Sequence, residues 1–330
     1  MKKAAIIFSF ILAIMLAGCS PGGGSPGSGG EELKPVTVML DWVPNTNHTG
    51  LYVALDKGWY EEEGLQVDIV QPTQGGTTQL VATGKAEFGV GYQEDVTQAR
   101  ATGVPVVSIA AVLQHNTSGF AAKKEEGITR PRDMEGKRYG GWGSPTEEAV
   151  LKAVVEADGG DPGKVEIINI GTADFFTAIE RDVDFAWIYY GWTGVEAELR
   201  GLEINFLELR KLDPALDYYT PVLITSEKLI REESALVEKF MRATARGYEF
   251  AITEPEEAGR ILLKYAPELD EKLVLASQKY LSPRYRDDAS CWGEQKEEVW
   301  DRYARWMYER GLLPKMIDPA SAFTNRFLPE

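Results

Sequence analysis

"VTVMLDWVPNTNHTGLYVALDKG", residues 36–58, reads as a strand, a loop and a helix in one line. The β-prone apolar run at 36–40 is a strand, residues 51–57 continue as a helix, and Gly58 closes it. Between them stand an acid, a tryptophan, a proline, two asparagines and one of only two histidines in the chain. A turn needs less hydrogen-bonding capacity than this. The loop is therefore a candidate for holding a ligand.

Working outward, the unit repeats. A strand is expected at 67–70, a helix at 77–83 ended by Gly84, and a strand at 87–90. A helix at 93–102 ends at Gly103, and "VPVVSIAAVL" carries a long buried strand. This rhythm predicts an α/β fold with a largely parallel sheet. It restarts with a strand in "GKRYGGWG", after which Ser144, Pro145 and Glu147 form a capping box opening a helix to about Ala157. A strand at 165–170, a helix at 173–181 and strands in "DFAWIYY" and "EINFLEL" follow. Beyond Ser226 the chain is almost all helix, with Trp300, Tyr303, Ala304, Trp306 and Met307 spaced as one buried stripe.

Two α/β units and a helical tail predict a two-lobed body with a ligand cleft between the lobes. The expected lobes are residues 35–120 plus 225–330, and residues 121–224. The chain is expected to cross near 120–123 and return near 220–225, with the C-terminal helices packed mainly on the first lobe.

The N-terminus has a different character. Lys2 and Lys3 precede an apolar run at 4–17, too short to span a bilayer comfortably, which ends in Leu16-Ala17-Gly18-Cys19. Residues 1–19 read as a lipoprotein signal peptide with Cys19 as the lipidated first residue of the mature chain. Residues 20–34, opening "SPGGGSPGSGG", read as a flexible tether; its Gly-rich part spans about 20 Å. Extracytoplasmic attachment through a lipid anchor is the expectation, with no other membrane contact.

The formal charge of −16 argues against nucleic acid as a partner. Cys291 is the only other cysteine, so no internal disulfide is expected, and with two histidines a structural zinc site is improbable. No metal and no cofactor are expected. No Ser–His–acid or Cys–His order and no phosphate-cradling loop is evident, which argues against an enzyme. The roles of His115, at the end of a long strand, and of Cys291 stay open.

In open α/β sheets, ligands sit beyond the carboxyl ends of the strands. Four such loops combine aromatics with amides or acids: residues 41–49, 91–95, 140–148 and 189–193. Trp42, Tyr92, Trp142, Tyr190 and Trp192 offer faces for a flat ring, with Tyr189 beside them. Asn47, His48, Gln93 and Glu94 offer edge contacts, and the helix end capped by Ser144 offers backbone N–H groups. Each has a plainer reading: Asn47 and Ser144 as caps, His48 as a surface histidine, Trp42 and Tyr92 as core aromatics. None of the loops holds Arg or Lys, which a sulfonate or phosphate would call for. A carboxylate such as Glu94 suits an aminopyrimidine instead.

These stretches, with "GGTTQLVATGKAEFGVGYQEDVTQARATGVPVVSIAAVL", "DMEGKRYGGWGSPTEEAVLKAVVEADGGD" and "DFAWIYYGWTG", resemble a known family over roughly residues 36–225. It contains solute-binding lipoproteins of thiamine-precursor transporters and fungal enzymes that make the thiamine pyrimidine. The resemblance implies a type II periplasmic-binding-protein fold with two interlobe crossings. It also implies delivery of a small heteroaromatic ligand to an ABC permease with its ATPase; the protein itself is expected to be a monomer. Trp42, Asn47, His48, Tyr92, Glu94, Tyr190 and Trp192 are the pocket residues it points to. The cysteine-rich run of the fungal enzymes is missing; "LDYYTPVLIT" stands before the second crossing. Riboflavin-binding members of the family leave a flavin, or another heteroaromatic, as the alternative ligand, and a thiamine pyrimidine synthase-like enzyme is the alternative from another class.

Overall fold

The computed structural model describes residues 32–72, 76–171 and 173–329. The expected signal peptide, the lipid site at Cys19 and the tether through residue 31 lie outside the described residues.

Among the described residues, ten strands form two five-stranded sheets. They are β1 (Lys34–Met39), β2 (Leu65–Val70), β3 (Phe88–Gly91), β4 (Val106–Ala111), β5 (Ser118–Lys123), β6 (Arg138–Gly141), β7 (Glu166–Asn169), β8 (Phe185–Tyr189), β9 (Ile204–Glu208) and β10 (Val222–Ser226). The first sheet has the order β2-β1-β3-β10-β4 and the second β7-β6-β8-β5-β9. In the first, β1 pairs parallel with β2 and β3, while β10 runs antiparallel to β3 and β4. In the second, β6 pairs parallel with β7 and β8, while β5 runs antiparallel to β8 and β9. The parallel trios arise from the strand–helix–strand units legible in the sequence.

The two antiparallel inserts are the strands by which the chain enters the second sheet and re-enters the first. Residues 120–123 and 222–225 are thus strand interior, and the changes of sheet occupy residues 112–117 and 209–221. An apolar run does not by itself reveal in which sheet it pairs, because burial on both faces looks the same in either.

Helix Thr49–Asp56 packs backbone against backbone on helix Ser234–Thr253. A Cβ on Gly247 would lie 1.9 Å from the Gly50 carbonyl oxygen, so glycine is required there. The rings of Phe88 and Phe240 stack at 3.8 Å between centroids in the same core. The expected stripe of Trp300, Tyr303, Ala304, Trp306 and Met307 is buried along helix Glu297–Glu309. Its cluster includes residues of both sheets, among them Val106 and Ile224 of the first and Phe120 and Phe185 of the second. Helix Glu271–Leu281 also reaches across, donating from Ser277 to the Gly191 carbonyl. The C-terminal helices thus pack chiefly on the first unit, above all on helix Thr49–Asp56, and reach the second as well. Among the described residues no helix is long and apolar enough to cross a membrane.

Candidate functional site

The loop after β1 is a built structure. Asn45 caps a short 3-10 turn, Thr46–His48, by accepting from the Asn47 backbone N–H at 2.9 Å. His48 is fully buried; its Nδ1 accepts from the Asn45 backbone N–H at 3.2 Å, which leaves Nε2 to donate to Asp41 at 2.6 Å. The other Asp41 oxygen accepts from the Tyr92 hydroxyl, tying the loop after β1 to the loop after β3. Burial opposes ionisation of Asp41, yet its pairing with His48 and the Tyr92 hydroxyl outweighs this and holds the carboxyl below its ordinary value. From behind, Tyr248 donates to the Asn47 carbonyl at 2.8 Å and Tyr285 to that of Thr46. The Asn47 side-chain oxygen is buried with no protein partner, and Trp42 stands 53% exposed.

Helix Gln93–Ala101 starts at the end of β3. Gln93 is fully buried, and both ends of its amide serve the protein: it accepts from the Tyr219 backbone N–H at 2.8 Å and donates to Val299. Glu94 differs. Its Oε2 is buried and has no protein partner. Burial first, then the neighbouring Asp95 charge, pushes the Glu94 carboxyl up to about 8. Loss of surrounding water, helped by Asp41, raises Asp95 to about 6, although that residue keeps a solvent-open face. The phenols of Tyr218 and Tyr303 are raised by burial and by the charge of Glu94; that of Tyr189 is raised by loss of surrounding water and by the same charge, although its side chain keeps a solvent-open face.

From the second sheet comes the loop after β6, leading into helix Pro145–Ala157 with the expected capping box of Ser144 and Glu147. Trp142 is exposed and meets Trp187 of β8 edge-on at 5.4 Å. The Trp187 Nε1 is buried without a partner. Gln98 donates to Thr146 at 3.0 Å, so the helix after β3 and the helix after β6 face one another across the two sheets. After β8 the chain makes a π-turn, Tyr190–Gly194, a distortion often found at functional sites. Tyr190 turns its hydroxyl to Glu198 and its ring to Phe206 and Tyr280, while Trp192 is half-buried against the first core.

Asp41, His48, Tyr92, Glu94, Asp95 and Tyr189 are linked by hydrogen bonds or charge, and Trp42 and Trp142 stand exposed on the loops after β1 and β6. Tyr190 and Trp192 contact the C-terminal helices, and Gln93 and Ser144 serve as ties of their own loops. Asp41, Asp95, Trp187 and Glu147 were not singled out as site residues by the sequence reading. For Asp41 a signal existed: it is the first polar residue after a buried strand.

A family model described as NMT1/THI5 like matches residues 45–258. The chain belongs to the NMT1/THI5-like family. The matched span contains the linked residues other than Asp41 and, of the two exposed tryptophans, Trp142 but not Trp42. A formylaminopyrimidine-binding protein of Halalkalibacterium halodurans is 32% identical over 334 residues, covering 98% of this chain and 99% of that protein. A 4-amino-5-hydroxymethyl-2-methylpyrimidine phosphate synthase of Legionella pneumophila is 28% identical, over 89% and 92% of the two chains. A riboflavin-binding protein of Chloroflexus aurantiacus is 26% identical over 100% and 99%. Among solved structures, an alkanesulfonate-binding protein of Xanthomonas axonopodis pv. citri bound to MOPS superposes with a TM-score of 0.68. At 15% identity over 89% of this chain and 99% of that one, this shows the fold alone, a periplasmic-binding-protein fold.

Proposed function

We propose that this NMT1/THI5-like protein is the extracytoplasmic solute-binding component of an ABC importer, taking up an aminopyrimidine precursor of thiamine without transforming it. The observation that carries this reading is Glu94, whose carboxyl has one oxygen buried and unpartnered and lies close enough to Asp95 to feel its charge. The amino and ring-nitrogen edge of an aminopyrimidine donates hydrogen bonds or carries a proton, which such a carboxyl accepts. Trp42 and Trp142 are the exposed aromatics available to cover the ring faces. The 32% identical formylaminopyrimidine-binding relative supports this ligand class. The non-catalytic assignment is supported by that relative and by the missing cysteine-rich run of the fungal enzymes.

In this reading each sheet belongs to one lobe, residues 34–111 with 222–329 and residues 118–208, and the lobes close on the ligand through the connections at 112–117 and 209–221. Cys19 holds the body at the outer face of the cell membrane by a lipid. A permease with its ATPase receives the ligand from a monomeric protein. Native mass spectrometry of protein purified without added ligand tests the reading. A small aminopyrimidine is expected. A flavin would move the assignment to the riboflavin-binding branch, and a sulfonate or an amino acid would overturn it.

A further inference from the structure

The N-terminus of helix Pro145–Ala157 meets the helix after β3, where Gln98 donates to Thr146, and the backbone amides of the loop leading into it are already taken. The Glu147 carboxylate, 1% exposed, accepts from the backbone N–H of Trp142 at 3.1 Å, of Gly143 at 3.1 Å and of Ser144 at 3.3 Å. The Tyr139 hydroxyl donates to it at 2.6 Å. Three converging amides and a hydroxyl at a helix N-terminus are the donor set that holds a phosphate or sulfonate elsewhere. Here they hold a side chain of the protein itself. The fit is close: a Cβ on Gly141 would come within 2.8 Å of Oε1, and Gly143 holds φ +87, a conformation that suits glycine.

We propose that Glu147 determines specificity as a built-in anion. It fills the amide cradle at the cleft and so excludes ligands carrying a phosphate or sulfonate, leaving the site to uncharged or cationic heteroaromatics. The sequence supports the same direction, since the four cleft loops contain no Arg or Lys and add Asp41, Glu94, Asp95 and Glu148. An anionic group entering here meets acids and finds no cation in these loops, and a like charge at close range opposes binding strongly. The ligand half of this inference rests on the aminopyrimidine reading; the cradle half does not.

The test uses the full chain carrying Glu147→Ala or Glu147→Gln. Thermal melts in rising sodium sulfate, against sodium chloride at equal ionic strength, read the cradle directly. Titrations with 4-amino-5-hydroxymethyl-2-methylpyrimidine and with its phosphate ester read the discrimination. The parent is expected to show no sulfate-specific rise in melting temperature and to prefer the unphosphorylated compound. Glu147→Ala is expected to melt lower, to gain a saturable sulfate-specific rise, and to lose at least tenfold of that preference. Glu147→Gln removes the charge while keeping the cradle filled, so it is expected to lose part of the preference with no sulfate-specific rise, and it decides the role of the charge should the alanine variant fail to fold. A folded alanine variant with no sulfate response overturns the proposal, as does a preference unchanged within twofold in both variants. If the parent binds neither pyrimidine, the functional reading fails by itself, and the sulfate melts still decide the role of Glu147.

Discussion

His48 donates from Nε2 to Asp41 across 2.6 Å in a setting where the histidine is fully buried and the aspartate side chain is 7% exposed. The pair fixes the whole loop after β1, because the other ring nitrogen holds the Asn45 backbone and the other carboxylate oxygen holds Tyr92. Its first consequence is for stability. Asp41→Asn or His48→Ala leaves a buried polar group without its partner, and a loss of about 3–5 kcal/mol is expected near neutral pH. The sign with pH follows from the lowered Asp41 value: the contribution is present above the ordinary carboxyl value and disappears as pH falls through the lowered one. Urea melts should therefore show the gap between parent and Asp41→Asn closing below about pH 4. A gap that stays constant from pH 7 to pH 3 would contradict this role.

Glu94 carries the opposite linkage. Its carboxyl is raised to about 8, so the unfolded chain ionises it first and the folded state is penalised as pH climbs from its ordinary value of 4.5 to about 8. Glu94→Gln removes the penalty. The variant should melt above the parent at pH 8 and higher, by on the order of a few kcal/mol, and match it near pH 4. Calorimetry should find its affinity for an aminopyrimidine at least tenfold weaker. Gain of stability together with loss of binding is the expected pair. A variant that binds like the parent would remove Glu94 from the site.

The exposed tryptophans separate binding from folding. Trp42 and Trp142 are 53% and 47% exposed, so alanine at either position should shift the melting temperature little. If a ring stacks on them, affinity should fall by about 1–3 kcal/mol, a ten- to hundredfold change in Kd. Trp192→Ala should behave otherwise, lowering stability because that ring packs on the first core. Equal affinities in Trp42→Ala, Trp142→Ala and the parent would leave the aromatic faces without a function.

How far the site could be read in the sequence depended on the kind of contact. Local patterns were legible: the strand–loop–helix units, the glycine stops, and the capping box of Ser144 and Glu147 are set within a few residues. Contacts over long sequence separations were not. Gln93 shares its loop with Glu94 and looks as available, yet Tyr219, 126 positions away, claims its side chain. Tyr190 reads as a cleft aromatic, but its partner Tyr280 comes from a C-terminal helix that packs across both units. In Glu147 the cap was visible, while the converging amides of Trp142 and Gly143 required the folded backbone of the loop.

At the N-terminus the expectation is chemical. Cys19→Ser should release the protein from the membrane fraction and leave aminopyrimidine affinity unchanged, because the candidate site lies entirely in the body of the chain. Fractionation of cells with a blot for the protein reads this. Undiminished membrane association of the variant would argue for an uncleaved anchor instead.

His115 connects the two passages between sheets. It lies in the 112–117 segment, its Nδ1 is 2.8 Å from Asp217 in the 209–221 segment, and its Nε2 is 3.4 Å from Asp288 of the C-terminal region. Lys296 pairs with Asp288, Arg210 lies near enough to oppose the histidine's charge, and Arg302 donates to the Asp217 carbonyl. The hydrogen bond to Asp217 raises the His115 value, partial burial opposes the rise, and the charges of Asp217 and Asp288 reinforce it. A raised histidine contributes stability that is complete below its ordinary value of 6.5 and vanishes as pH rises through the folded value. His115→Gln should therefore be destabilised against the parent at pH 5.5 and approach it at pH 9, where the parent has lost the same charge. Since both passages share this contact, ligand release should also ease as pH rises in the parent and change less in the variant. Stopped-flow dissociation at the two pH values measures the second effect, and urea melts the first. A stability difference that is the same at pH 5.5 and pH 9 would show that the imidazole charge does not hold the passages together.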